Sequence, residues 1–324
     1  LIKLCLIDFV NAKIDYRDKV AIVTYSGNVN VLLDPTSGTD KSKIIRKINR
    51  LSAGGSTAGG DAINMAYDLA SESFIVGGNN RIIMATDGDF NVGLSSQDEL
   101  IELIDEKRKT GVFLSVLGVG NLNEGMLEQV ADHGNGNYEY IDNVEQGHKV
   151  LINEFNSFYP VAKDVKIQVE FDSLVVKSYR LIGYENRVLE NEDFENDSTD
   201  AGDLGSDQDV TALYELIMQD SVLDNVKALE ISVRYKLPDQ TTSNYFSLNA
   251  YNSNNSFDQA SENLRFAAGI SAFALIMRNS DYVGNATYNN VINWIQNVST
   301  YDPFNYKSDL INLINKAKVL PPNE

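Results

Sequence analysis

The chain has 324 residues, 43% hydrophobic and 23% charged, with a net charge of −19 at pH 7. That length suits about two domains with cores of their own, while the acidic balance excludes nucleic acid, whose phosphates demand clustered Lys and Arg, and disfavours anionic lipid. A single cysteine, Cys5, excludes an intrachain disulfide and a thiolate metal cluster, and no apolar run reaches the ~20 residues that span a bilayer.

Residues 1–14 place Leu1, Leu4, Cys5, Asp8 with Phe9, and Ala12 at helical spacing, so an amphipathic helix is under way from the start. Lys3 and Asp8 interrupt any signal-peptide core, and the first residue is not Met. Val20–Tyr25 is an apolar run rich in β-branched residues, expected to be a strand covered on both faces. Ser26-Gly27-Asn28 turns it into a second strand, Val29 to Leu33, forming a hairpin with that strand at a sheet edge. Thr39 or Asp40 caps a helix through Ile44, Ile45 and Ile48.

Next comes Ala53-Gly-Gly-Ser-Thr-Ala-Gly-Gly-Asp-Ala62, a glycine-rich turn with a threonine hydroxyl that opens into a helix carrying Ile63, Ala66, Tyr67 and Ala70. A short apolar strand, Arg81–Thr86, then delivers Asp87 at its C-terminal end within Arg81-Ile-Ile-Met-Ala-Thr-Asp-Gly88. Strand and helix go on alternating: a helix over 96–109, a strand over 112–119, a helix over 123–132, a strand over 138–141 and a closing helix over 144–158. Such alternation predicts a mostly parallel sheet wound on both sides. With a helix first in the chain, the central strand of that sheet is expected upstream of residue 1.

After Pro160 the period changes. Val165-Lys-Ile-Gln-Val-Glu-Phe171 and Ala228-Leu-Glu-Ile-Ser-Val-Arg-Tyr235 alternate apolar and polar, which predicts an antiparallel module with one solvated face. Residues 175–184, 211–217 and 244–249 are weaker strand candidates. Glu190–Asp209 carries nine acidic and no basic residues and reads as a solvated, mobile loop; it does not match the spacing of a calcium-binding hand. From Asp258 the chain turns helical, with Leu264, Ala267, Ala268, Ser271, Ala274, Leu275 and Met277 on one stripe and two further helices over 288–298 and 305–318.

Three segments carry a resemblance. Lys19-Val-Ala-Ile-Val-Thr-Tyr25, Gly54-Gly-Ser-Thr-Ala-Gly-Gly60 and Thr86-Asp-Gly88 fall in the order and spacing of a von Willebrand factor type A domain, which residues 1 to about 158 resemble from its first helix onward. The remainder is similar to the C-terminal region of bacterial YfbK-type proteins, in Tyr179-Arg-Leu-Ile-Gly-Tyr-Glu-Asn-Arg187, Asp200-Ala-Gly202, Val210-Thr-Ala-Leu-Tyr-Glu215, Val233-Arg-Tyr-Lys-Leu-Pro238 and Leu264-Arg-Phe-Ala-Ala268. The resemblance implies a doubly wound, mostly parallel, Rossmann-like A domain over 1–158. A second domain over 159–324 follows, antiparallel β and then helical.

In that family a magnesium or manganese ion sits at the C-terminal edge of the parallel sheet. Carried over, Thr57 offers its hydroxyl and Asp87 its carboxylate, and an open coordination position accepts an acidic side chain from a partner protein. Gly54, Gly55, Ser56, Gly59, Gly60 and Gly88 form the surrounding loops, with Asp89 behind them. The family's third loop, Asp-x-Ser-x-Ser, is absent and is expected just upstream of residue 1, so metal binding is expected in the intact protein and weak in this chain alone. The bland reading makes Thr57 and Asp87 helix and turn caps.

A phosphate loop is excluded because no Lys follows Gly60 before the helix. No nucleophile and base stand together, and His133 and His148 read as surface residues, so no enzyme is expected. The resemblance implies an adhesion or scaffolding protein of the bacterial cell envelope. A metal-free assembly protein and an accessory subunit of an enzyme complex are the alternatives.

Overall fold

A computed structural model describes residues 1–25, 28–52, 59–86, 97–184, 188–253, 255–299 and 301–320. They form two compact units, each drawing on several stretches of chain. The first comprises Leu1–Lys166, Glu195–Asp209 and Arg234–Tyr245, and the second Ile167–Phe194, Val210–Val233 and Phe246–Glu324.

In the first unit, helix α1 (Ile2–Ala12) leads into a hairpin of β1 (Lys19–Thr24) and β2 (Asn30–Ser37), followed by α2 (Lys41–Ile48) and α3 (Gly59–Glu72). The chain then alternates through β3 (Asn80–Thr86), α4 (Gln97–Lys107), β4 (Val112–Gly118), α5 (Glu124–His133) and β5 (Tyr138–Tyr140), ending in a short α6 (Val144–His148). Strands β3, β4 and β5 lie parallel in that order, with Thr86 opposite Gly118 and Gly118 opposite Tyr140.

Helices cover both faces of this sheet, and the strand parity shows it. Met84, Val112, Leu114 and Val116 pack with Ile63, Tyr67, Leu100, Ile104, Leu127 and Val130 on one face. Leu117 and Ile141 pack with Cys5, Phe9, Val150, Leu151 and Phe158 on the other. The continuous apolar runs follow from this two-sided burial.

Four expectations are corrected, the last of them in the second unit. β1 has no fully buried residue; its Val20 and Ile22 are partly covered, on the side of Val10, Leu33, Ile44 and Ile48. The helix expected over 144–158 is broken: after α6 a wider, π-type stretch runs over Lys149–Asn153 and a 3-10 turn over Phe155–Phe158. Adjacent Val150 and Leu151 are both buried there, as is Phe158, and the Glu154 amide reaches back to Lys149 O at 2.8 Å. Gly147 belongs to this packing, since a Cβ there would stand 2.3 Å from Cys5 Sγ.

The third correction is the acidic segment. It contains a strand, β8 (Gly202–Gly205), antiparallel to the first half of β6 (Pro160–Phe171), with Ala162 opposite Leu204 and Val165 opposite Gly202. Gly205 is buried, and a Cβ there would lie 1.8 Å from Ser157 O. Between these strands come β7 (Val176–Ile182) and, after β8, β9 (Leu213–Met218), β10 (Lys227–Lys236) and β11 (Asn244–Tyr251). One sheet has the order β11-β10-β6-β8, and β7 pairs with β9 in another.

In the second unit β7 and β9 run antiparallel, Val176 opposite Met218 and Ile182 opposite Leu213. Their inner end buries Val175 and Val176 with Ala228, and Phe171 stacks on Tyr179 at 4.3 Å between ring centroids. Helices α7 (Glu262–Met277), α8 (Tyr288–Gln296) and α9 (Tyr306–Ala317) surround Phe273, Val291, Ile295 and Ile314. The buried stripe of α7 differs from the one expected: Gly269, Phe273 and Leu275 are buried, while Leu264 and Met277 stay exposed. Gly269 sets this face, because a Cβ there would meet Ile295 Cγ2 at 2.4 Å.

Candidate functional site

Ligands of open parallel sheets sit beyond the carboxyl ends of the strands. Here β3 ends at buried Thr86 and β4 at Gly118, and the ladder carries one step further, with the Val119 amide donating to Thr86 O at 2.9 Å and Ile141 to Gly118 O at 2.8 Å. Only glycine fits at 118, since a Cβ would lie 2.4 Å from Leu122 Cδ1 and 3.1 Å from the Tyr138 hydroxyl.

Helix α3 returns to β3 through residues 73–79 and packs on it through Ile63, Tyr67 and Met84. A helix joined to its neighbouring strand by so short a connection runs antiparallel to it, so the start of α3 lies at the strand's carboxyl end. The Tyr25 hydroxyl, just past β1, donates to Ala85 O at 2.5 Å and fixes a third point of chain at the same edge. The ends of β1 and β3 and the start of α3 are thus gathered there.

Of the residues singled out from sequence, Gly59 and Gly60 open α3, with Gly59 buried and Asp61 in the first turn. Thr57 and Asp87, with Gly54, Gly55, Ser56, Gly88 and Asp89, lie outside the described residues. Among the described residues, no group of three or more His, Cys, Asp or Glu is placed to hold a metal ion. His133 Nδ1 lies 3.0 Å from Asp105 and His148 Nε2 2.8 Å from Asp8, each histidine partly exposed and set against a carboxylate.

Residues 2–153 match the von Willebrand factor type A domain, and residues 156–320 match the family described as "Uncharacterized protein YfbK, C-terminal". The chain belongs to the YfbK family. It is 39% identical over 321 residues to "Uncharacterized protein YfbK" of Escherichia coli (strain K12), covering 93% of this chain and 55% of that protein. It therefore spans about half the length of this curated relative.

Among solved structures, a von Willebrand factor type A protein from Catenulispora acidiphila superimposes with a TM-score of 0.52 at 13% identity, over 97% of this chain and 77% of the other; that likeness is one of fold. Proximal thread matrix protein 1 from the mussel byssus, solved with a zinc-occupied MIDAS motif, is 18% identical over 53% of this chain and 44% of its own, with a TM-score of 0.36. Family membership gives the first unit its A-type fold and, at the coarse level, a protein-interaction or adhesion role.

The structure also holds a polar cluster that sequence reading passed over. Arg81, at the amino end of β3, donates to Ser115 Oγ at 2.5 Å and Phe158 O at 2.8 Å, between the rings of Phe113 and Phe158. Burial pulls its pKa down to about 10, so it stays charged at neutral pH.

Around it the acidic segment is tied down by basic groups. Lys236 Nζ meets Asp164 Oδ2 at 2.6 Å and Asp197 O at 2.7 Å, Lys166 reaches Asn196 O at 2.5 Å, and Arg108 pairs with Asp200 at 3.0 Å. Burial, reinforced by Asp164 and Asp200, pushes Asp203 up to about 6. For Asp164 burial acts upward as well, but the Lys236 and Ala201 hydrogen bonds outweigh it and hold the carboxyl below its ordinary range. The one sequence signal was a lone arginine heading an apolar strand.

Proposed function

We propose that the A-type unit binds a partner protein through a divalent cation, magnesium or manganese, held at the carboxyl edge of its parallel sheet. Thr57 and Asp87 would supply oxygen ligands, and an acidic side chain of the partner would complete the coordination. The observation that supports this reading is that the start of α3, which follows Thr57 in sequence, and the end of β3, which precedes Asp87, lie at one edge. Hard divalent ions prefer such hydroxyl and carboxylate oxygens and keep exchangeable positions, and glycines at 54, 55, 59 and 60 would let backbone approach closely.

Under this reading the protein acts without catalysing a reaction, at the bacterial cell envelope; recovery of the intact protein in the cytosolic fraction would count against that location. The metal site is tested by calorimetric titration of magnesium and of manganese into this chain and into a form carrying the Asp-x-Ser-x-Ser loop upstream. Saturable binding by the longer form, lost in Asp87→Ala at unchanged melting temperature, is the expected result. Two folded proteins that both fail to bind would retire Thr57 and Asp87 as ligands and favour a metal-free assembly surface.

A further inference from the structure

Among the described residues strand β11 stands at the end of the four-stranded sheet, and its sequence, Asn-Tyr-Phe-Ser-Leu-Asn-Ala-Tyr, contains neither a charged residue nor a proline. Edge strands are ordinarily protected by Lys, Pro, bulges or short length. This one is eight residues long in a chain of net charge −19, and it exposes Phe246, Leu248 and Tyr251 at 45%, 61% and 56%. The opposite edge is the four-residue β8, flanked by Asp200 and Asp207.

The hydrogen bonds fix which way the backbone points. Just past the strand, Asn252 exchanges bonds with the β10 side, its amide donating to Val226 O at 2.8 Å and its carbonyl accepting from Asn225 at 2.7 Å. Alternation along a strand then turns the amides and carbonyls of Ser247, Asn249 and Tyr251 away from β10.

We infer that β11 is a self-association edge, at which a second copy of this chain adds its own β11 antiparallel about a two-fold axis through Leu248. An isologous strand pair must match itself, and this sequence does so in one register. Leu248 faces its own copy at the axis, bulky Phe246 faces small Ala250 on the same side of the sheet, and Ser247 faces Asn249 on the other. Ser247 and Asn249 are the residues whose backbone groups point outward, so they form the hydrogen-bonded pairs and Leu248 the closer, non-hydrogen-bonded one. No like charges meet across the seam, which lets two strongly acidic chains approach there. The pairing does not involve the cation proposed above.

Cross-linking and sedimentation test this on the full chain. Oxidised Leu248→Cys is expected to give a disulfide-linked dimer, because a non-hydrogen-bonded antiparallel pair sets Cα atoms about 4.5 Å apart, within disulfide reach; Asn249→Cys, off the axis, is expected to give little. The unmodified chain should sediment as a reversible dimer that tightens as salt screens the net charge. Leu248→Lys should raise its dissociation constant by about tenfold or more, and so should Asn249→Pro, which removes an outward amide and no internal bond. Unchanged melting temperatures confirm that both variants fold, and EDTA should leave the dimer intact. A chain that is monomeric at every concentration, a dimer indifferent to Leu248→Lys, equal cross-linking at 248 and 249, or dissociation by EDTA would each overturn the inference.

Discussion

The two units bury their side chains very differently. In the first, Tyr67, Ile104, Val112, Leu114 and Val116 are wholly withdrawn from water between two layers of helix. In the second, complete burial is concentrated in a small helical core around Val291, Ile295 and Ile314, while Leu174, Tyr179, Ile217 and Leu248 remain largely exposed. A sheet covered on both faces spends its apolar residues inward. A sheet covered on one face leaves the other to serve contacts or solvent, so the second unit presents the more surface to partners for a given length of chain.

The contrast predicts two separable unfolding transitions, and substitutions can sharpen or break it. Gly205→Ala is expected to act most strongly, lowering the stability of the first unit by about 3 kcal/mol, since the added methyl would drive into the Ser157 carbonyl. Calorimetry should show the first unit's transition shift while the other stays; if it is the second that moves, the acidic segment has been assigned to the wrong unit.

Asp203 gives the next effect. Its folded pKa, raised from 3.8 to about 6, means that the folded state holds the proton more tightly. The associated stability is therefore fully present below pH 3.8 and lost as pH rises through 6, an amount of roughly 3 kcal/mol at most. Asp203→Asn should flatten urea-unfolding stability across that window, and a slope that survives the substitution would point to another group.

Smallest is Thr287→Ala, which deletes the capping box at the start of α8, where Thr287 Oγ1 accepts from the Asn290 amide at 3.2 Å. It should cost the second unit about 1 kcal/mol and leave the first unit's transition where it was.

What could be read from sequence follows the same division. The first unit's strands and helices were legible because Ile82 to Ala85 is a continuous apolar run and Val112 to Leu117 is broken only by Ser115, both between clear helical stripes. The period-two strands β6 and β10 were legible too. Residues 190–209 were misread as a loop because composition cannot see that Lys166 and Lys236, remote in sequence, hold the carbonyls of Asn196 and Asp197 and that Arg108 pairs with Asp200. The stripe of α7 was misplaced because nearly all of its residues are apolar, so periodicity alone could not say which face Gly269 would turn inward. At the candidate site the sequence supplied residue types and spacing, and the structure supplied the common edge at which their flanking elements end.

The first unit is completed by residues 195–209 and 234–245, which follow chain belonging to the second. On the ribosome, domains generally form from the amino terminus as units emerge. Here that order is interrupted: the first unit lacks β8 and the Lys236 clamp until the chain beyond Lys236 has been made. Until then β6 waits without its antiparallel partner β8, so completion of the first unit is timed by translation of the region downstream.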